Sequence, residues 1–164
     1  MGRLDEAAFA AFHARSCRAL RAYAYRVVGN PSDADDIVQE AFMRILRVDV
    51  PAADEEHLRR YLYRVASNLI VDRWRRRKFE QGAEMMQEPA SPRPRYDEDA
   101  DVAKIFSELK PRDRALLWLA YVEGESHEEI ASSLGVGRRG VKVMLFRARR
   151  RLRDLLQARG LVNS

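Results

Sequence analysis

The chain has 164 residues and a formal net charge of +5, with 34% charged and 46% hydrophobic residues. This length allows one domain or two small ones, and the hydrophobic content is sufficient for packed cores. No apolar run is long enough for a signal peptide or a membrane span, and the single Cys17 excludes an internal disulfide, so we expect a cytoplasmic protein without membrane insertion.

In the first 78 residues, apolar side chains recur at helical spacing in three segments. The first segment covers residues 4–28 and is expected to end at Gly29-Asn30-Pro31. The second covers residues 32–47, and its inward-facing apolar positions include Leu46 near the end. The third covers residues 55–78. Three amphipathic helices around one core predict an all-α domain.

Charge is segregated within this domain. Residues 33–56 hold eight acids and two arginines, whereas residues 58–78 hold eight Arg or Lys and one acid. Segregation of this kind indicates one contact with a basic partner and another with nucleic acid.

Residues 79–100 interrupt the helical pattern. They contain three prolines, one glycine and an excess of acids, without an apolar period. This composition predicts a flexible acidic linker. We therefore expect a domain of residues 1–78, the linker, and a second domain of residues 101–164.

The second domain is also expected to be helical. Apolar spacing resumes at Val102, is interrupted at Pro111 and restarts up to Val122. Trp118 and Tyr121 are expected to lie in the core of this domain.

Residues 126–153 have the pattern of a helix-turn-helix. Ser126 and Glu129 predict a capping box, and Gly135 supplies the left-handed residue that ends the first helix. The second helix contains Gly137 and Gly140 near its start, and each glycine should lower its stability by about 0.5–1 kcal/mol relative to alanine.

The second helix of this motif is apolar on its inner side and cationic elsewhere. Residues 138–153 contain eight Arg or Lys and no acid. Such a helix matches the electrostatics of a recognition helix in a DNA groove. The alternative is a solvated basic face on a helical hairpin.

Four blocks of the sequence resemble the extracytoplasmic-function (ECF) sigma factors of the sigma-70 superfamily. They are GNPSDADDIVQEAFMRIL, LRRYLYRVASNLIVDRWRRRK, LKPRDRALLWLAYVEGESHEEIASSLGV and VKVMLFRARRRLR. The blocks occur in the family's order and spacing, and they cover most of the chain outside the linker and the termini. The resemblance implies an all-α fold with a three-helix sigma-2-like domain and a sigma-4-like helix-turn-helix domain.

The resemblance also implies a function and a set of partners. The chain would be a bacterial initiation factor that binds core RNA polymerase, recognises the −10 and −35 promoter elements and promotes strand opening. Its DNA partners would be the double-stranded promoter and the single-stranded non-template strand. An anti-sigma factor is expected as a further partner.

Three sets of candidate contact residues follow from the resemblance and from side-chain chemistry. In the second helix, the residues expected to dock on core polymerase are Asp33, Asp36, Gln39, Glu40, Met43 and Arg44. In the third helix, the residues expected at the −10 element are Tyr61, Tyr63, Arg64, Asn68, Arg73, Arg75, Arg76 and Arg77. In the recognition helix, the residues expected at the −35 element are Arg138, Arg139, Lys142, Arg147, Arg149 and Arg150.

Each type of side chain has a separate expected role at the −10 element. The amide of Asn68 can both donate to and accept from a base edge, and the ring of Tyr61 or Tyr63 can stack on an exposed base. The resemblance places the loop of residues 48–54 close to a flipped base of the non-template strand. Capture of that base would offset the few kcal/mol that melting costs.

The sequence gives no support for an enzyme. His13 and Cys17 lie four residues apart, but no further Cys or His pair completes a metal site. We expect no catalytic residue, no cofactor and no metal. Two alternatives remain: a plain helix-turn-helix transcriptional regulator, and a sigma-like mimic that sequesters an anti-sigma factor.

Overall fold

The computed structural model describes residues 4–48, 54–81 and 100–161, and all regular structure in these residues is helical. The helices are α1 (Glu6–Val28), α2 (Pro31–Arg47), α3 (Glu55–Gln81), α4 (Ala100–Ser107), α5 (Pro111–Tyr121), α6 (His127–Leu134) and α7 (Arg138–Ala158). No helix in these ranges is long and apolar enough to cross a membrane.

The chain divides into two compact units, the first built on α1, α2 and α3 and the second on α4, α5, α6 and α7. The predicted all-α fold with two helical domains is therefore confirmed. Helix α3 continues three residues beyond the predicted end at Lys78. Residues 82–99 of the predicted linker lie outside the described residues, and the domain limits at 78 and 101 stay predictions.

The turn between α1 and α2 is built from local signals. Gly29 adopts a left-handed conformation with φ 81°, and its N–H donates to the carbonyl of Tyr25 at 2.8 Å. The side chain of Asn30 then caps α2 by accepting from the N–H of Asp33 at 3.1 Å. Because Pro31 has no N–H and a fixed φ, it begins α2, one residue before the predicted start.

The first unit has a core to which all three helices contribute. The hydroxyls of Tyr23 and Ser67 form a buried hydrogen bond of 2.7 Å between α1 and α3. The side chains with at most 1% exposure include Leu20, Tyr23 and Val27 of α1, Ile37, Ala41 and Ile45 of α2, and Leu62, Ala66 and Ile70 of α3. This packing fixes which sides of α2 and α3 face outward.

The predicted capping box of the helix-turn-helix is confirmed. The N–H of Glu129 donates to Ser126 Oγ at 3.1 Å, and the N–H of Ser126 donates to Glu129 Oε1 at 3.4 Å. Gly135 has a φ of 65°, the left-handed conformation expected after α6.

The start of α7 differs from the prediction in one respect. Gly137 is the N-cap residue, outside the helix, with an extended backbone and no side-chain capping bond. Glycine is acceptable at this position, where it costs only a few tenths of a kcal/mol relative to Ser or Asp. The predicted loss of helix stability therefore applies to Gly140 alone.

Two charged residues are buried at the start of α5. Arg114 is 1% exposed, and its Nη1 donates to the carbonyl oxygens of Ser107, at 3.0 Å, and of Leu109. The Asp113 carboxylate accepts a hydrogen bond of 2.8 Å from Arg151 Nη1 of α7. These bonds join α5 to the end of α4 and to the middle of α7.

Candidate functional site

Helix α2 presents an acidic face that also exposes apolar atoms. Asp36 and Gln39 are exposed, the Glu40 side chain is 42% exposed, and Met43 is 40% exposed. Arg44 is exposed as well, and its Nε lies 3.2 Å from Glu40 Oε1. Positions 36, 40 and 43 follow helical spacing, so these side chains share one side of α2.

Leu46 belongs to this face and not to the core. The prediction that it faces inward is wrong, because 41% of the residue is exposed. It lies three residues after Met43 and seven after Gln39, which places all three on one side of the helix. Together these residues form the docking face, defined as Asp36, Gln39, Glu40, Met43, Arg44 and Leu46.

Asp33 lies in a different environment from the docking face. Its side chain is only 20% exposed, and it forms ion pairs with Arg73, at 3.1 Å, and with Arg77. Arg73 also lies 3.9 Å from Asp36. The structure thus joins residues of two predicted sets, the polymerase set of α2 and the −10 set of α3. Asp33 is therefore engaged in ion pairs with α3 and is not one of the exposed acids of α2.

Several of the residues expected at the −10 element form a polar stripe along α3, defined as Tyr61, Arg64, Asn68, Arg75 and Arg76, and this stripe is accessible. Arg64, Asn68, Arg75 and Arg76 are exposed, and Tyr61 is partly exposed. The guanidinium carbon of Arg64 lies 5.4 Å from the centroid of the Tyr61 ring. The stripe therefore combines an aromatic ring, an amide and several cations on one side of the helix.

Tyr63 does not belong to this stripe. It is 1% exposed and packs against Tyr23, with the ring centroids 5.5 Å apart. The prediction that Tyr63 could stack on an exposed base is wrong, because its ring lies in the core of the first unit. Its spacing from the buried Ala66 and Ile70, three and seven residues on, is the sequence signal that indicates this position.

The loop before α3 is described only at its two ends, because residues 49–53 lie outside the described residues. The predicted base contact in this loop therefore stays a prediction.

Asp54 Oδ1 caps α3 by accepting from the N–H of His57 at 3.0 Å. Hydrogen bonding to the Arg59 guanidinium lowers the pKa of the Glu56 carboxyl.

The first turns of α7 present cations to solvent. Arg138, Arg139, Lys142 and Arg147 are exposed, while the buried residues Val141 and Leu145 pack inward. The space beside Gly137 is open, since a Cβ there would meet nothing within 4 Å, whereas a Cβ at Gly140 would lie 3.6 Å from Met144 Cε, an ordinary van der Waals contact.

The second unit also contains an open apolar groove of about 1160 Å³ that is lined by residues of α4, α5 and α7. The prediction that Tyr121 is a core residue is wrong, because it is 59% exposed at the edge of this groove, and Trp118 is only partly buried. Arg149 Nη1 donates to the Tyr121 hydroxyl at 3.0 Å, which directs this predicted −35 residue toward the groove. The residues that line the groove include Phe106, Leu117, Trp118, Tyr121, Val122, Phe146, Arg149, Arg150, Leu152 and Arg153.

Comparisons with known proteins assign the chain to a family. The sigma-70 region 2 model matches residues 13–80, and the sigma-70 region 4 model matches residues 100–152. The RNA polymerase sigma-E factor of Streptomyces avermitilis is 36% identical over 146 residues, which cover 87% of this chain and 82% of the relative. The chain belongs to the ECF sigma factors. Its predicted resemblance to this family is confirmed.

Two further similarities agree with membership in the ECF sigma family. The ECF RNA polymerase sigma factor SigE of Mycolicibacterium smegmatis is 35% identical over 143 residues, or 81% of this chain, but the match spans only 55% of that relative. The structure of CnrH in complex with the cytosolic domain of CnrY is similar with a TM-score of 0.63 and 28% identity, covering 94% of this chain and 90% of CnrH.

Proposed function

We propose that this ECF sigma factor binds core RNA polymerase and directs initiation at promoters with −10 and −35 elements, where it promotes strand opening. The observation that carries the proposal is the presence of a mixed acidic and apolar face on α2 together with separate cationic surfaces on α3 and α7. The first suits a protein partner, and the other two suit DNA. Because core polymerase and promoter DNA are in the bacterial cytoplasm, we propose that the protein acts there.

Core polymerase is the proposed partner of the docking face. The acidic side chains of the docking face favour a basic surface on the partner. Met43 and Leu46 expose apolar area, and its burial in a complex is favourable. Asp33 belongs to the predicted docking set, but we propose that its role is to position Arg73 and Arg77 through ion pairs and not to contact polymerase.

The polar stripe of α3 is the proposed −10 site. Tyr61 offers a ring for stacking, and Asn68 offers a donor and an acceptor for a base edge. Arg75 and Arg76 are exposed for phosphate contacts, while Arg73 and Arg77 add positive charge that Asp33 partly compensates. Binding an unstacked base on this stripe offsets the free energy of melting, which couples recognition to strand opening.

The start of α7 is the proposed −35 reader. Arg138, Arg139 and Lys142 occupy its first two turns, where a recognition helix contacts bases in the major groove. Arg147 and Arg150 lie further along α7, where contacts to phosphates are geometrically favoured. Arg149 is directed to the groove through Tyr121.

The apolar groove is the proposed site for an anti-sigma factor. The similar protein CnrH was solved in complex with the cytosolic domain of CnrY, which supports a protein partner for this chain as well. The groove is lined mainly by aromatic and aliphatic side chains, and its charged lining residues are Arg149, Arg150, Arg153 and Asp154, an excess of positive charge. An amphipathic helix with acidic flanks complements this surface.

Reconstitution with core RNA polymerase tests the proposed function. Promoter-specific transcripts that depend on the added chain support it. A plain helix-turn-helix regulator binds its operator without core enzyme and gives no such transcripts, and a sigma-like mimic binds an anti-sigma factor without supporting transcription at all.

Asn68→Ala is expected to reduce promoter opening about tenfold, while the affinity for core polymerase stays within about twofold of the wild type. The exposed amide is lost, but the helix and the docking face are unchanged. Permanganate footprinting of the −10 region measures the opening. Normal opening by the variant would assign Asn68 a structural role only.

Val122→Asp is expected to raise transcription from the target promoter in cells, because the negative charge disrupts partner binding in the groove. Transcription by reconstituted holoenzyme should stay within about twofold of the wild type, since exposed sites contribute little to stability. Val102→Asp is the control, at a valine that is 53% exposed and is not among the groove residues. Lower in vitro transcription by the Val122 variant would show that the groove serves polymerase or DNA instead.

A further inference from the structure

Val143 is an exposed apolar side chain within the cationic surface of α7. The residue is 47% exposed. Helical spacing places Arg139 one turn before it, Arg147 one turn after it and Lys142 beside it, and all three are exposed. A β-branched side chain gains little here from helix propensity or from burial. The fold of the second unit therefore does not account for a valine at this position.

Val143 lies about one turn before Phe146 on α7 but is not itself a residue of the apolar groove. The exposed apolar residues Tyr121, Val122 and Phe146 line that groove, whereas Val143 is not among its lining residues. Two residues correspond to about 200° around a helix, so Val143 points nearly opposite to the buried Leu145. It faces the same partner as the surrounding cations.

The positive charges around Val143 favour a polyanionic partner. The valine side chain itself makes a favourable contact only with an apolar group on that partner. In the major groove of DNA, the apolar group on a base edge is the C5-methyl of thymine, whereas the other bases present hydrogen-bonding groups. We propose that Val143 contacts a thymine methyl group in the −35 element and so determines base preference at that position. The inference rests on the proposed role of α7 as the −35 reader.

Helix geometry limits where this thymine can lie. Arg139 and Val143 are four residues apart, or about 6 Å along the helix axis at 1.5 Å per residue. Base pairs are spaced about 3.4 Å apart along the duplex. Arginine most often contacts guanine in the major groove, so the thymine must lie within about two base-pair steps of a guanine that Arg139 contacts.

The experiment uses holoenzyme reconstituted from core polymerase and the full chain. A promoter library with a randomised −35 region first identifies the preferred bases. Each preferred thymine is then replaced by deoxyuridine, which removes the methyl group and keeps the base pairing. We expect wild-type holoenzyme to lose about fourfold in promoter binding at one thymine, the effect of about 0.8 kcal/mol for one buried carbon group.

Two substitutions assign this effect to a side chain. Val143→Ala should bind the thymine and deoxyuridine promoters equally while keeping the preference for guanine. Arg139→Ala should lose the preference for guanine and keep the fourfold effect of the methyl group. Val102→Ala, at an exposed valine of α4, should behave as the wild type in both respects.

Each contrary result overturns the inference. A fourfold methyl effect that persists in Val143→Ala shows that another side chain contacts the thymine. A −35 preference without a methyl-sensitive thymine within two steps of the guanine rejects the Val143 contact but keeps the role of α7. Wild-type holoenzyme without any −35 preference rejects that role and the inference with it.

Discussion

Replacement of Arg114 by alanine is expected to lower the free energy of unfolding of the second unit by about 3 kcal/mol. Arg114 is 1% exposed, and its guanidinium donates hydrogen bonds to the carbonyl of Ser107, the last residue of α4, and to that of Leu109 just after the helix. Alanine would leave both carbonyls without this donor and would create a cavity in place of a large side chain. Hydrogen bonds from a charged donor contribute about 1.5–3 kcal/mol each, which sets the expected size.

Urea unfolding of the full chain measures this loss. Trp118 reports on the second unit, and a Trp74→Phe background removes the signal of α3 from the first. Arg112→Ala is the matched control, because Arg112 lies two residues away on α5 and is exposed, so its loss should change stability by less than about 0.5 kcal/mol. Equal stabilities of the two variants would mean that the buried arginine is dispensable.

Local signals in the sequence predicted the helices and their ends well. The capping box at Ser126 and Glu129, and the glycines at 29 and 135, each act through bonds within a few residues of the chain. The predicted end of α3 at Lys78 lies three residues too early. No glycine or proline occurs until Gly82, so nothing stops the helix at Lys78.

The partners of charged residues could not be predicted from spacing. Asp33 pairs with Arg73 and Arg77, which are 40 and 44 residues away in the sequence, and Asp113 pairs with Arg151 of α7. These contacts depend on how the helices pack, and a helical period does not contain that information. The sequence therefore predicted Asp33 and Arg73 as members of separate surfaces.

The exposure of three apolar or aromatic residues also differs from the prediction. Leu46 and Tyr121 are predicted core residues, yet both are exposed: Leu46 lies on the same side of α2 as Gln39 and Met43, and Tyr121 lies at the apolar groove. Tyr63 is the reverse case, since an aromatic residue close to a polar stripe is buried. Their burial depends on tertiary contacts, and the exposed pair lies on surfaces that we propose bind partners.

The separation of Asp33 from the docking face leads to the prediction for polymerase binding. Asp36→Arg combined with Glu40→Arg is expected to lower the affinity for core polymerase at least about tenfold. Both carboxylates are exposed, and arginines in their place would repel a basic partner surface. The fold should be retained, because charge changes at exposed positions usually alter stability by less than about 0.5 kcal/mol. Fluorescence titration of core enzyme into labelled chain measures the affinity, and circular dichroism checks the helix content.

A second pair of acids provides a control with the same change in net charge. Glu6 and Asp35 are exposed, and Asp35 pairs with Arg21 of α1 on another side of α2. Glu6→Arg combined with Asp35→Arg should leave the affinity within about twofold of the wild type, because a local contact depends on position and not on net charge. If both double variants lose affinity equally, the attraction is a long-range effect of overall charge, and the docking face must be sought elsewhere on the first unit.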